Sequence, residues 1–226
     1  MRQGYHLRLA ELGEHGSSMC QVASDALKDA TQALLDADLA LAERVIASDV
    51  QLDDMRANAE KVAVELLALE APVARDLRIV VSALWIVADL QRMGTLAIHI
   101  AKAARRRHPT AVLPNEIRPT FERMGAVGAH LAARATVILR DRDIELASGL
   151  AAEDDLMDDL HRDMFAALMA PTWSHGVQTA VDISLLGRFY ERFGDHAVAV
   201  ARRVIFLVTG ENVGGDTTIY DAAPER

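Results

Sequence analysis

The 226-residue chain is 51% hydrophobic but only 4% aromatic, and a composition led by Ala, Leu and Val favours close-packed helices over a β-sandwich. Its formal net charge of −9 argues against nonspecific binding to nucleic acid or to an anionic membrane surface, both of which reward clustered cations. The lone Cys20 cannot form an internal disulfide, which fits the cytoplasm, and its helical surroundings make it a small core residue.

The N-terminal stretch MRQGYHLRLAELGEHG lacks the apolar run of a secretory signal. From there apolar residues recur at three- and four-residue spacing, and no segment alternates strictly. Val22, Ala26, Ala30 and Ala33 predict a first helix ending at the turn Asp36-Ala37-Asp38. Asp38 can cap the next helix, because its carboxylate accepts from an orphan amide of the first turn. Leu52, Met55, Ala59, Val62 and Leu66 mark one face of that second helix. Pro72 fits the first turn of a third, where its missing donor costs little. Leu77, Val81, Leu84 and Ala88 continue this helix to the basic end Lys102 to Arg107. Its longest apolar stretch, Ile79 to Asp89, contains Ser82 and is shorter than the roughly 20 residues that span a bilayer.

Pro109 and Pro114 bracket a connector, and the plan then repeats. A fourth helix reaches Asp141-Arg142-Asp143. A fifth, with Leu160, Met164 and Leu168 on its apolar stripe, runs to about Met169. A sixth starts after Pro171 and stops before Gly210. The segment from Glu211 onward, with Gly214, Gly215 and Pro224, has little to bury and reads as a mobile tail.

The repetition extends to individual residues. Met19, Val22, Ala30, Thr31, Leu34, Asp36, Asp38, Asp53 and Asp54 recur as Met124, Val127, Ala135, Thr136, Leu139, Asp141, Asp143, Asp158 and Asp159, always 105 positions later. Further on the separation becomes 100, pairing Arg92, Gly94, Ala97 and Ala101 with Arg192, Gly194, Ala197 and Ala201. A register held over dozens of residues and changed once implies a duplicated unit with a small deletion. The expected fold is all-α: two tandem, pseudo-symmetric antiparallel three-helix bundles over residues 1–108 and 115–210, followed by a flexible tail over 211–226.

The densest local chemistry is Arg188-Phe189-Tyr190-Glu191-Arg192-Phe193-Gly194-Asp195-His196. Glu191 and Asp195 lie four apart, so a helix stacks both carboxylates on one side, away from the row of Phe189, Phe193 and Ala197. Asp154 and Asp158 have the same spacing on the preceding helix, with His161 three residues on. Antiparallel packing could join these ladders into a site for Mg²⁺, Mn²⁺, Fe or Zn²⁺. The competing reading is ordinary ion pairing, since Arg188 and Arg192 are close enough to neutralise Glu191. Nothing pairs a nucleophile with a base here, and the sequence has no Walker loop, Gly-x-Ser-x-Gly or Cys-x-x-Cys. No histidine follows a glutamate by three, which argues against a ferritin-like di-iron enzyme.

Other charged and aromatic features have milder readings. The Lys102 to Arg107 run suits a solvated helix C-terminus, where cations favour the macrodipole. Arg75, Asp76 and Arg78 pair locally or present charge to a partner. Trp85, in an apolar stretch, is expected in the core.

The duplicated plan, Ala71-Pro72-Val73-Ala74-Arg75-Asp76-Leu77-Arg78 and Tyr190-Glu191-Arg192-Phe193-Gly194-Asp195-His196-Ala197 resemble the PhoU family from about residue 5 to residue 209. The resemblance implies a cytoplasmic, non-enzymatic accessory protein of phosphate-specific transport. Such a protein restrains phosphate uptake and the starvation response, and links a Pst-type ABC transporter to a membrane sensor histidine kinase. It would reach the membrane only through these partners, bind no nucleic acid and form a homodimer. The family's Glu/Asp-x-x-x-Asp motif, which can hold iron or zinc, maps onto Glu191 and Asp195, with Asp154 and Asp158 beside them. The first half departs from that pattern: Gln91 and Thr95 are neutral, although Asp49, Asp53 and Asp89 remain nearby. One metal site at most is therefore expected, in the second half. The alternative is a carboxylate-bound metal store or metal-dependent enzyme built on Glu191 and Asp195. A third reading is a purely structural helical module.

Overall fold

A computed structural model describes residues 2–213. Among them are seven helices and no strand: α1 (Arg2–Asp36), α2 (Leu39–Ala47), α3 (Asp49–Glu70), α4 (Ala74–Arg107), α5 (Arg118–Asp141), α6 (Ile144–Met169) and α7 (Gly176–Thr209). The repeat is visible in the turns. Ala37 and Arg142, 105 apart, both take left-handed backbone (φ 53° and 54°). The next residues, Asp38 and Asp143, each accept from the amide three positions on, Leu41 and Leu146, at 2.9 Å. Each carboxylate thus satisfies one orphan donor and starts the following helix.

The halves differ where sequence periodicity sees no boundary. The predicted second helix is two helices, because the chain bends at Ser48. Its hydroxyl donates to the carbonyl of Val45 at 2.7 Å, and its amide is shared between Arg44 and Val45. These local bonds compete with the regular helical ladder. The equivalent α6 is continuous. Pro72 also lies outside its helix. Val73 is extended and serves as the N-cap of α4, and Ala71 and Ala74 on either side have positive φ, so Pro72 belongs to the connector. The C-terminus of α7 behaves as expected: Gly210 takes φ 85° and its amide bonds to Phe206.

Each half forms a three-helix arrangement, α1 with α2–α3 and α4, and α5 with α6 and α7. The two meet through α1 against α5 and α4 against α7, so α1, α4, α5 and α7 enclose a continuous core, with α2–α3 and α6 outside. Both cross-half pairings are antiparallel. Along the first, Gly16 faces Leu139 and Thr31 faces Gly125, where a Cβ would sit 2.5 Å from the Thr31 methyl. A side chain at Gly125 would force these helices apart. Tyr190 of α7 reaches into the same contact. Its hydroxyl bonds that of Thr31 at 2.9 Å, and its ring lies edge-on to Phe121. Burial of this phenol raises its pKa well above the ordinary tyrosine range. Cys20 is a core residue, as expected. Its thiol lies 3.4 Å from the Ala132 carbonyl, and burial pushes its pKa to about 11.

Three sequence readings of α4 change. The row Leu77, Val81, Leu84 and Ala88 is not the core face; Ile79, Val80, Ala83, Ile86, Val87 and Leu90 are buried instead. An Ala-rich helix packed on several sides has more than one apolar stripe, and periodicity alone does not select among them. Trp85 is only half-buried. Its indole contacts Phe206, and the Arg203 guanidinium lies 4.6 Å above the ring. By length and composition α4 is also apolar enough to cross a membrane, but 56% of its most apolar window is buried inside the bundle. Glu211–Val213 are exposed beyond α7, and the rest of the predicted tail, 214–226, lies outside the described residues.

Candidate functional site

The acidic site is built on the contact of α6 with α7. At Gly194 the helices approach so closely that a Cβ would lie 2.2 Å from Asp154 Oδ1. The glycine makes room for the carboxylate, and Asp154 is pressed against the α7 backbone. On α7, Glu191 stands one turn before this glycine, with its side chain 14% exposed, and the exposed Asp195 directly follows it. Asp158 and His161 follow Asp154 along α6. The four predicted carboxylates are therefore brought into one electrostatic neighbourhood, with the imidazole at its edge.

The environment disfavours ionisation of Asp154 and Glu191. Burial, then repulsion from Asp158, Asp195 and Glu191, raises Asp154 to about 7. Glu191 is also raised, by burial and by Asp195, against the opposing pull of Arg188. His161 is lowered, by burial and by the Arg188 charge, and stays neutral near pH 7. Three buried polar atoms here have no hydrogen-bond partner among the described residues: Asp154 Oδ1, Glu191 Oε2 and His161 Nε2. Leaving such atoms unmatched costs about 1–3 kcal/mol each.

That donor set fits a hard or borderline cation, since carboxylates and a neutral imidazole are ligands for iron and zinc. The side chains are not gathered into a finished coordination shell: among the described residues, no three His, Cys, Asp or Glu stand ready to ligate one ion. Arg188 holds Glu191 in an ion pair, as the competing reading anticipated, whereas Arg192 does not. Arg188 engages Glu191 Oε1, which leaves Oε2 as the oxygen a cation would take.

The first half lacks these properties at the matching place. Gln91 reaches Asp53 at 3.5 Å, and the Thr95 hydroxyl donates to the Gln91 carbonyl at 3.0 Å. Gly94, the counterpart of Gly194, faces Leu52 rather than a carboxylate. Asp89 turns across to α7, where it contacts His196 Nδ1 at 3.0 Å.

The remaining charged features are structural. Arg78 donates to the Leu207 and Val208 carbonyls and closes the end of α7, while Asp76 accepts from Tyr5 at 2.9 Å. The basic end of α4 is more than a solvated terminus. Arg105 pairs with Glu43, and the half-buried Arg107 donates to Asp182 of α7 at 3.1 Å. Sequence reasoning passed over a second cluster, lining a cleft between α4 and α7: Arg92, His99, Arg188, Arg192 and His196. Its one signal in the sequence is that Arg92 and Arg192 are copies of one repeat position.

The PhoU domain family model matches the chain twice, over residues 17–104 and 121–204. The chain belongs to the PhoU family. It is 54% identical over 210 residues to the phosphate-specific transport system accessory protein PhoU homolog 2 of Mycobacterium tuberculosis, covering 93% of this chain and 99% of that protein. The PhoU homolog 1 of Mycobacterium leprae is 53% identical over 217 residues, covering 96% and 98%. Among solved structures, PhoU from Pseudomonas aeruginosa superposes with a TM-score of 0.80 at 27% identity, over 92% of this chain and all of that one. The phosphate transport system regulatory protein PhoU from Streptococcus pneumoniae gives 0.81 at 26% identity, over 93% and 99%. The two matched segments fall one in each structural half, so the duplication read in the sequence is the family's own repeat.

Proposed function

We propose that the protein is a cytoplasmic accessory protein of phosphate transport that represses uptake and the starvation response when phosphate is plentiful. It acts as a non-enzymatic adaptor between a Pst-type ABC transporter and a membrane sensor histidine kinase. The observation that carries this reading is the match of both PhoU domains, together with more than half identity to accessory proteins over nearly their full length. An adaptor regulates by binding one state of its partner more tightly than another, because equal affinity shifts nothing. A long, rigid helical surface suits that task, and pairing of two copies through exposed helix faces would extend it. The acidic site contributes a metal-responsive element: with iron or zinc held by Asp154, Asp158, Glu191 and Asp195, the cation would neutralise a cluster that otherwise repels itself. Support comes from its three buried, unmatched polar atoms.

The test is deletion of the gene, followed by measurement of high-affinity phosphate uptake and starvation-reporter output in phosphate-rich medium. Both should rise and fall again on complementation with the wild-type gene. If neither changes in a strain with no second copy, the regulatory reading fails. Complementation with Glu191→Ala/Asp195→Ala then asks whether the acidic site takes part.

A further inference from the structure

The cleft between α4 and α7 carries chemistry opposite to that of the acidic site and to the chain's net charge of −9. It is lined by Arg92, Thr95, Leu96 and His99 from α4 and by Arg188, Phe189, Arg192 and His196 from α7, around a volume of about 200 Å³. The helices run antiparallel here. Asp89 meets His196 at one end of the cleft and His99 stacks on Phe189 at the other, with ring centroids 5.2 Å apart. Arg92 and Arg192 lie between these contacts, near the pseudo-twofold relating the halves. The duplication thus delivers both copies of one arginine to a single cleft.

The neighbouring charges leave these two arginines uncompensated. Glu191 is engaged by Arg188, and Asp89 by His196. His99 is held neutral near pH 7 by burial and by Lys102, against the weaker pull of Asp49. Neither the Arg92 nor the Arg192 guanidinium forms a hydrogen bond or ion pair among the described residues. Two arginines without a protein partner among the described residues line this one opening, and a guanidinium is the planar donor fork that suits phosphoryl oxygens. The Phe189–His99 stack and Leu96 supply an apolar wall beside them.

We propose that this cleft binds a phosphate-class oxyanion, either inorganic phosphate or the phosphoryl end of a small ester, through Arg92 and Arg192. The site is defined by binding alone and goes beyond the regulatory reading; it stands whether or not the protein represses uptake. Calorimetric titration of the full-length chain in low-salt buffer, with inorganic phosphate and separately with phenyl phosphate, tests it. At least one probe should saturate one site per chain. Arg92→Gln and Arg192→Gln should each weaken it by at least about ten-fold, the loss expected for a charge-assisted contact. Arg75→Gln, on an exposed arginine elsewhere, should bind like wild type, and unchanged circular dichroism should show that each variant folds. Tighter binding of inorganic phosphate assigns the free ion, and tighter binding of phenyl phosphate assigns an ester resting on the apolar wall. The proposal is overturned if neither probe saturates, or if either cleft variant binds as the wild type does.

Discussion

The two halves of this protein share a backbone plan yet treat one position in contrasting ways. On α4, Gly94 admits the Leu52 side chain, and the polar groups around it, Gln91, Thr95 and Asp53, hydrogen-bond among themselves. On α7, Gly194 admits Asp154, and the groups around it are acids whose charges help raise the pKa of Asp154 and Glu191. The helix contact is the same, but one half uses it for packing and the other for concentrating charge. Duplication therefore preserves the close approach of two helices while the polar residues beside it are free to change. The arginine two residues before the glycine took a third course: both copies persist, and both line the cleft between the halves.

Several experiments would break or sharpen this contrast. The largest effect is expected in the core, where Met93 and Phe193 occupy matching, fully buried positions. Phe193→Ala should cost about 3–5 kcal/mol and Met93→Ala about 2–5 kcal/mol in denaturant unfolding. A much smaller loss at either one would show that its half collapses around the cavity. A qualitative change should follow from Gln91→Glu/Thr95→Asp, which adds two acids to Asp49 and Asp53 and so completes a set of four. Equilibrium dialysis with zinc should then rise from one ion per chain to two. A value that stays at one would mean that the Leu52 packing, and not the missing carboxylates, closes the first-half site.

A pH scan of metal-stripped protein probes the acidic cluster directly. The folded-state pKa of Asp154 lies above its unfolded value of 3.8. Its contribution to stability is therefore fully present below that unfolded value and is lost as pH rises through about 7. Thermal midpoints should fall between pH 5 and pH 8, and Asp154→Asn should flatten that dependence and raise the midpoint at pH 8. An unchanged slope would place the repulsion elsewhere. The smallest effect belongs to the caps that the halves share. Asp38→Ala and Asp143→Ala should each cost about 1 kcal/mol, and equally. Unequal losses would show that the Ser48 bend, present in one half alone, shifts the load onto its cap.

The features legible in the sequence were those set by local chemistry. Asp38 and Asp143 cap their helices because a carboxylate before a helical run has an amide to satisfy, whatever the rest of the fold does. The four-residue spacing of Glu191 with Asp195, and of Asp154 with Asp158, fixed each pair on one helix side. The 105-residue register placed equivalent turns at Ala37 and Arg142. Other features lay beyond it. Ser48 interrupts the second helix with a hydroxyl bond to the carbonyl three residues back, whereas Ser148 bonds four residues back inside an unbroken α6. Pro72 satisfies the rule for a helix start, yet the flanking left-handed alanines put it in the connector. Trp85 looked like core because its neighbours are apolar, yet it is only half-buried, beside Phe206 and under the Arg203 guanidinium of α7.

By itself, then, the sequence determined a helical, duplicated PhoU-family chain with its acids on α6 and α7, because helix periodicity, capping and repeat register act over a few residues or copy themselves along the chain. Tertiary structure alone decided which stripe of α4 is buried, that Arg78 closes the end of α7, and that Arg92 and Arg192 face one cleft. Each of these depends on residues about a hundred positions apart meeting across antiparallel helices, and that meeting is set by the shape of the packed core rather than by any local pattern.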